Sequence, residues 1–201
     1  MSRTKFTFDL ISKSRIHVGA GFARVQGVDA PIFRRRNRCV IPGTTLKGLL
    51  RTALYRIAPV LEKTACWEIK PDKMKLCSVC ELLGMPNLPS KVFVEDAHPI
   101  AGVDVLLATR TAINRASGKV SEGALFTSEY VAPGTKFTFS VEACDLDADQ
   151  TRLLLYGFLE MAESGFGRMR QKMTMHLHSI DGEFPQTTEL ERLKSLLEAE
   201  K

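Results

Sequence analysis

A chain of 201 residues, 44% hydrophobic and 25% charged, has the length and composition of one globular domain with a core several layers deep, which excludes a peptide hormone and a large multidomain enzyme. It has no run of roughly 18 apolar residues and opens on Met1-Ser-Arg-Thr-Lys-Phe6 rather than a secretory leader, so it reads as a soluble cytoplasmic protein with no membrane partner. Twenty-eight Lys and Arg against 23 Asp and Glu give a net +5, compatible with a polyanionic partner, and five cysteines without a leader read as thiols or metal ligands rather than a disulfide framework.

In chain order, Lys5-Phe-Thr-Phe-Asp-Leu10 alternates, with Phe6, Phe8 and Leu10 on one face, which predicts a half-buried antiparallel strand. Residues 16–38 carry Gly19, Gly21 and Gly27, then Pro31 and the basic run Arg34-Arg-Arg-Asn-Arg38, and read as a loop returning through a strand. After Pro42-Gly43, Thr44 or Thr45 is placed to cap a helix whose Leu46, Leu49, Leu50, Ala53, Leu54 and Ile57 recur at helical spacing. Residues 59–90 form an irregular insertion with three cysteines, too long for an ordinary loop, and Lys91-Val-Phe-Val-Glu95 ends it as a strand.

Residues 106–130 predict an extended hairpin, basic and glycine-bearing at its tip, whose flanks offer little continuous hydrophobic face. Lys136-Phe-Thr-Phe-Ser-Val141 alternates again. A second helix follows, with Asp147 and Gln150 spaced as a capping box, Leu153, Leu154, Phe158, Leu159 and Met161 as its buried side, and Gly165 to terminate it. A last strand over 169–180 puts Met169, Met173, Met175 and Leu177 on one face and Arg170, Lys172, His176 and His178 on the other. A capping box from Thr188 to Glu191 and a stripe of Leu190, Leu193, Leu196 and Leu197 predict a terminal helix over 188–200. The order strand, helix, strand, strand, helix, strand is that of an α+β sandwich of ferredoxin-like or RNA-recognition type, with antiparallel sheet on one side and two helices on the other.

Two segments suit phosphate. At the first helix start, unpaired N–H groups, Gly43, Thr44 and Thr45 combine with Lys47 and Arg51, which also fits an ordinary capped helix with a polar outer face. The glycine-lysine spacing is not that of a nucleotide-binding P-loop. In the second segment, Gly165 and Gly167 let backbone approach a ligand while Arg168, Arg170 and Lys172 neutralise phosphates; the alternative is a helix C-cap followed by a charge-protected strand edge. Cys77-Ser-Val-Cys80 has the spacing with which two thiolates grip one zinc ion, and Cys66 adds a third. Cys39, His98 or a neighbouring subunit would supply the fourth ligand; left empty, the three are free thiols, and Cys144 is a small core residue.

Seven stretches in order carry a resemblance: Ile16-His-Val-Gly-Ala-Gly21, Gly27-Val-Asp-Ala-Pro-Ile32, Ile41-Pro-Gly-Thr-Thr-Leu-Lys-Gly48, Cys77-Ser-Val-Cys-Glu-Leu-Leu-Gly84, Val94-Glu-Asp-Ala97, Thr111-Ala-Ile-Asn-Arg-Ala-Ser-Gly118 and Gly165-Phe-Gly-Arg168. Over about residues 5–180 the chain resembles the RAMP superfamily of CRISPR-associated proteins, and more narrowly the repeated backbone subunit of type III effector complexes. The resemblance implies a modified ferredoxin-like domain that stacks head to tail with copies and other RAMP-type subunits along a guide RNA. The helix-start motif, the glycine-rich loop with His17 and the basic sheet residues would hold the guide. Residues 106–130 would be a thumb intruding into the guide and target RNA duplex, with Arg110, Arg115 and Lys119 as contacts. Asp29 falls where the family cuts target RNA, which implies cleavage with Mg or Mn; an aspartate there also suits a turn cap. The insertion is similar to cysteine-bearing insertions of related subunits, which implies structural zinc. Two rival readings stay open: a structural RNA-binding subunit without chemistry, and a free-standing guide-processing nuclease using His17. The arginine run 34–38 departs from the short polar turn common in the family, and implies either stronger RNA binding or a different neighbour.

Overall fold

The computed structural model describes residues 2–21, 27–68, 70, 72–113, 115–166 and 171–199. In chain order the elements are β1 (Arg3–Ser12), β2 (Arg34–Arg35), β3 (Arg38–Cys39), α1 (Gly43–Ile57), a 3-10 turn (Ala58–Leu61), α2 (Ser78–Leu83), β4 (Val92–Val94), β5 (His98–Pro99), β6 (Val105–Ile113), β7 (Val120–Val131), β8 (Lys136–Cys144), α3 (Ala148–Ser164), β9 (Met173–Gly182) and α4 (Thr188–Glu198). Mixed helix and antiparallel sheet is the architecture the sequence pattern predicts. Among the described residues no helix is long and apolar enough to cross a membrane.

The main sheet runs β4, β8, β1, β9, with β5 also paired to β8, and all its pairings are antiparallel. Alternation explains its buried face: Phe6, Phe8 and Leu10 of β1 point inward, opposite Val141, Phe139 and Phe137 of β8. Helices α1 and α3 pack on each other, and Gly157 permits their close approach, since a Cβ there would stand 2.5 Å from Leu54 Cδ2. Phe158 of α3 reaches down to the sheet, its ring centroid 4.7 Å from that of Phe8 and 5.6 Å from that of Phe6, both edge-on.

The helix ends differ in detail from the sequence pattern. Asp147 caps α3 by accepting from Gln150 N–H at 2.7 Å, but the Gln150 side chain accepts from Lys91 at 2.9 Å, so the reciprocal half of the capping box is not made. In α4 the cap is Thr187, one residue earlier than Thr188, because Thr187 keeps the extended backbone from which its hydroxyl meets Leu190 N–H. Leu190, Leu193 and Leu197 of α4 are buried while Leu196 is exposed. The described part of the last strand runs Met173–Gly182, with Met175 and Leu177 inward and His178 outward; Met169 and Arg170 lie outside the described residues.

The β6–β7 hairpin pairs Val105 with Val131 and Thr111 with Leu125, and stands apart from the main sheet. It is less polar than its pattern implies: Leu106, Leu107, Ile113, Leu125 and Phe126 are all exposed.

Phe158 packs α3 against two rings of β1 at once, so Phe158→Ala is expected to destabilise the protein by about 3–5 kcal/mol in chemical denaturation. Thr52→Ala, on the exposed side of α1, is expected to leave the midpoint nearly unchanged.

Candidate functional site

The segment from Gly27 to Phe33 is stitched onto the root of the hairpin. Asp29 N–H and Ala30 N–H both donate to Thr127 O, at 2.9 and 3.1 Å, and Glu129 N–H donates to Ala30 O at 2.9 Å. Thr127 N–H donates to Asp29 Oδ2 at 2.7 Å, so backbone fixes one carboxylate oxygen of a residue that is itself exposed. The Asp29 carboxylate thus holds the hairpin strand across the chain rather than capping its own turn, and the residue is exposed.

Behind it lies Glu129, only 7% exposed. Its Oε2 accepts from Ile32 N–H at 2.9 Å, and Arg34 binds both its oxygens, at 2.7 and 3.0 Å. The hydrogen bond from Arg34, opposed by burial and aided by Ile32 N–H and the guanidinium charge, holds the Glu129 carboxyl below the usual carboxylate range. His17 joins the same cluster: its Nδ1 is 2.8 Å from Glu129 O, and its N–H donates to Gln171 Oε1 at 3.0 Å. Tyr130, buried beside His17, carries two guanidinium groups over its ring, Arg15 at 5.1 Å and Arg110 at 5.3 Å from the centroid. Glu129, Tyr130 and Arg15 are absent from the sequence-based candidates; the polar Glu129 within an otherwise apolar-rich strand end was the one available signal. Arg115 and Lys119 are exposed at the hairpin's far end.

The helix-start group is arranged differently from its sequence expectation. Pro42, not Thr44 or Thr45, occupies the cap position, and Gly43 N–H donates to Asp96 Oδ1 at 2.8 Å. Gly43 is required because a Cβ there would collide with the Val94 carbonyl oxygen and the Glu95 backbone. A carboxylate thus already meets this helix start, with Arg35 at ion-pair distance, 2.8 Å, from its other oxygen but off the hydrogen-bond line. Thr44 is exposed and Thr45 half-buried. Lys47 turns onto the insertion, donating to Ser90 Oγ at 2.8 Å and Val92 O at 3.0 Å; burial, with Arg51 nearby, lowers its pKa. Arg51 does the same, donating to Gly84 O at 2.7 Å and Leu83 O at 3.2 Å, where it caps the end of α2.

At the second basic segment, Gly165 ends α3 at φ 75° and Lys172 is exposed, its N–H donating to Ser14 Oγ at 3.0 Å. Gly167, Arg168 and Arg170 lie outside the described residues.

The insertion brings Cys66, Cys77 and Cys80 together, their sulfurs all within 4.8 Å of one another and those of Cys66 and Cys80 3.7 Å apart. Burial pushes the Cys66 thiol up, but hydrogen bonds from Tyr55, the backbone of Glu68 and Lys75, and Cys80 outweigh it and bring it down to about 6. Burial and the neighbouring Cys77 and Cys66 sulfurs push Cys80 up to about 12. A tetrahedral zinc ion with bonds of about 2.3 Å sets its sulfurs about 3.8 Å apart, so the chemistry and spacing of these donors fit it. Of the fourth ligands considered from the sequence, Cys39 and His98 are not among this group: Cys39 is buried in β3, where burial raises its thiol to about 11, and His98 pairs with Thr138 at the sheet edge.

Arg34→Met would leave Glu129 buried without its guanidinium. Because Arg34 is 28% exposed, the loss is expected at about 2–3 kcal/mol near pH 7, below that of a fully buried pair. The depressed Glu129 pKa contributes stability above the carboxylate range that fades as pH falls through the folded value, so the gap in Tm between the two proteins should narrow on going from pH 7 to pH 3.

A family model of the RAMP superfamily matches residues 9–171. A protein of Methanocaldococcus jannaschii named CRISPR system Cms endoribonuclease Csm3 is 28% identical over 130 residues, covering 59% of this chain and 52% of that protein. The chain thus spans about half the length of this curated relative. Residues 9–171, the stretch matched by the family model, contain the Asp29 segment, the thiols and the whole hairpin.

Proposed function

The chain belongs to the RAMP superfamily, and from that premise we propose that it is a guide-RNA-binding backbone subunit of a type III CRISPR interference complex, cleaving bound target RNA at regular intervals through Asp29. The observation that carries this reading is the stitching of Asp29 to the root of a projecting hairpin. A hairpin inserted into a duplex would bring the RNA strand at its base within reach of that carboxylate. The name of the Methanocaldococcus relative, an endoribonuclease of a CRISPR Cms system, supports a place in such a system and a role in RNA cleavage.

In this reading the domain is a modified ferredoxin-like sandwich spanning the chain, supported by the order β4, β8, β1, β9 with α1 and α3 as its two helices. The hairpin is the thumb. Its exposed Leu107, Leu125 and Phe126 suit contact with base faces and a neighbouring subunit, and Arg110, Arg115 and Lys119 suit phosphate. Copies and other RAMP-type subunits would stack head to tail along the guide in the cytoplasm. Recognition through phosphate, sugar and duplex shape gives no intrinsic sequence preference.

For cleavage, an RNA 2′-hydroxyl gives up its proton and attacks the adjacent phosphorus, and the bond to the 5′-oxygen breaks as that oxygen takes a proton. In this reading Asp29 would hold the nucleophile or accept its proton, and the anchoring of one oxygen by Thr127 and its exposure to solvent support that role. A bound Mg or Mn ion would supply Lewis-acid stabilisation of phosphate charge. Arg15 and Arg110, gathered over Tyr130, are placed near the same root to neutralise phosphate.

The test is Asp29→Ala assembled with guide RNA and presented with complementary target. Cleavage at this subunit's positions is expected to fall by about 100-fold or more with guide affinity unchanged. Unaltered cleavage would remove Asp29 as the cleaving group and leave it the structural role that its bond from Thr127 N–H favours. A free-standing nuclease acting through His17 has less support, since Glu129 O already engages Nδ1 of that ring.

We also propose that Cys66, Cys77 and Cys80 hold a structural zinc ion, with a fourth ligand from outside the cluster. Purified protein should carry one zinc per chain by elemental mass spectrometry, and chelation should lower Tm. Cys80→Ser should abolish zinc binding and remove the effect of chelator.

A further inference from the structure

Trp67, the one tryptophan of the chain, lies on the insertion, away from the Asp29 segment in sequence and bound into a different part of the fold. It is 58% exposed at a backbone φ of 53°, a region that bulky L residues rarely occupy because Cβ crowds the carbonyl oxygen. Such an outlier persists only where the surroundings over-determine it, and here they do. The Trp67 ring rests 5.5 Å from that of buried Tyr55, at 31°. The Tyr55 hydroxyl donates to Glu68 O at 3.1 Å and meets Cys66 Sγ at 3.4 Å, so both chain neighbours of Trp67 are held by the residue beneath its ring. The indole is displayed on a fixed base. A tryptophan serving only to cover the thiols would bury most of its area.

Cations flank this platform. Cys66 and Glu68, on either side of Trp67, share an open concavity of about 390 Å³ with Lys73, Lys75 and Leu76. Lys70, Lys73 and Lys75 are all exposed, and Glu68 turns Oε1 back to accept from Lys70 N–H at 3.1 Å. Lysine is depleted at the centres of protein interfaces, whereas an aromatic ring set among lysines is the arrangement that binds single-stranded nucleic acid.

We propose that this face of the insertion is a second contact for single-stranded RNA, with a base stacked on Trp67 and the flanking phosphates neutralised by Lys73 and Lys75. The contact is tolerant of sequence, since every base has a stacking face and the phosphates carry no sequence information. It rests on the reading of the chain as an RNA-binding subunit.

The test follows two signals during titration of the full chain with an end-labelled single-stranded RNA: anisotropy of the label, which reports all binding, and emission of Trp67, which reports this face alone. Trp67 emission is expected to be quenched in step with the anisotropy, and inorganic polyphosphate to compete without quenching. Trp67→Leu should weaken RNA about fivefold or more while Trp67→Phe retains part of the affinity, and Lys73→Gln with Lys75→Gln should reduce the salt slope by about 1.4. RNA that binds by anisotropy with Trp67 emission unchanged and Trp67→Leu affinity intact would overturn the proposal. Trp67 emission that shifts with protein concentration, without RNA, would overturn it in favour of a protein contact. Failure of the anisotropy itself to change would overturn the RNA-binding reading beneath it.

Discussion

The arrangement around Asp29 depends on one buried carboxylate. Glu129 stands at the end of β7 where the hairpin enters the body of the protein, and its two oxygens take hydrogen bonds from Arg34 and from Ile32 N–H. An unpaired carboxylate in that position would be expensive, so the segment from Gly27 to Arg34 must close over it for the fold to form. That closure brings Asp29 and Ala30 alongside Thr127 and Glu129. Local hydrogen bonding alone would leave a glycine-bearing loop free to take many courses. The buried charge selects one.

A parallel economy of design operates on α1. Its inner face builds the core through Leu46, Leu50 and Leu54, while Lys47, Arg51 and Tyr55 hold the insertion from another side. Arg51 binds the carbonyls at the end of α2, and Tyr55 ties down the backbone beside Cys66. A segment with little regular structure is thereby organised around a helix already fixed by the core. The three sulfurs gather on that support.

What the sequence made legible follows the range of the forces involved. The alternation in β1 and β8, the inner faces of α1 and α3, and the cap at Asp147 are local patterns with local causes, and each is present in the structure. The grouping of Cys66, Cys77 and Cys80 was readable because thiolate spacing is a strong chemical constraint. The helix start was misread in part: a Thr-Thr-Leu-Lys pattern cannot reveal that Asp96, far along the chain, supplies the anion there, nor that Lys47 is held by Ser90 and Val92 and Arg51 by carbonyls at the end of α2. The same holds for Arg15, whose only sign of purpose is a ring that the hairpin brings beneath it. Residues whose roles come from long-range partners leave little periodic trace.

Among the described residues, the hairpin is anchored at one end only. Near its root, Ile16 bridges to Val131 and Ala30 to Ser128, whereas its outer strands pair with each other. From Thr127 to the start of β7 at Val120 the strand extends about 23 Å at the usual rise per residue. It is a cantilever, and Asp29 sits at its fulcrum. Bending of such a beam carries the tip through a wide arc while the clamped end scarcely moves. The tip can therefore follow irregularities in whatever it lies against without disturbing the position of the carboxylate at its base.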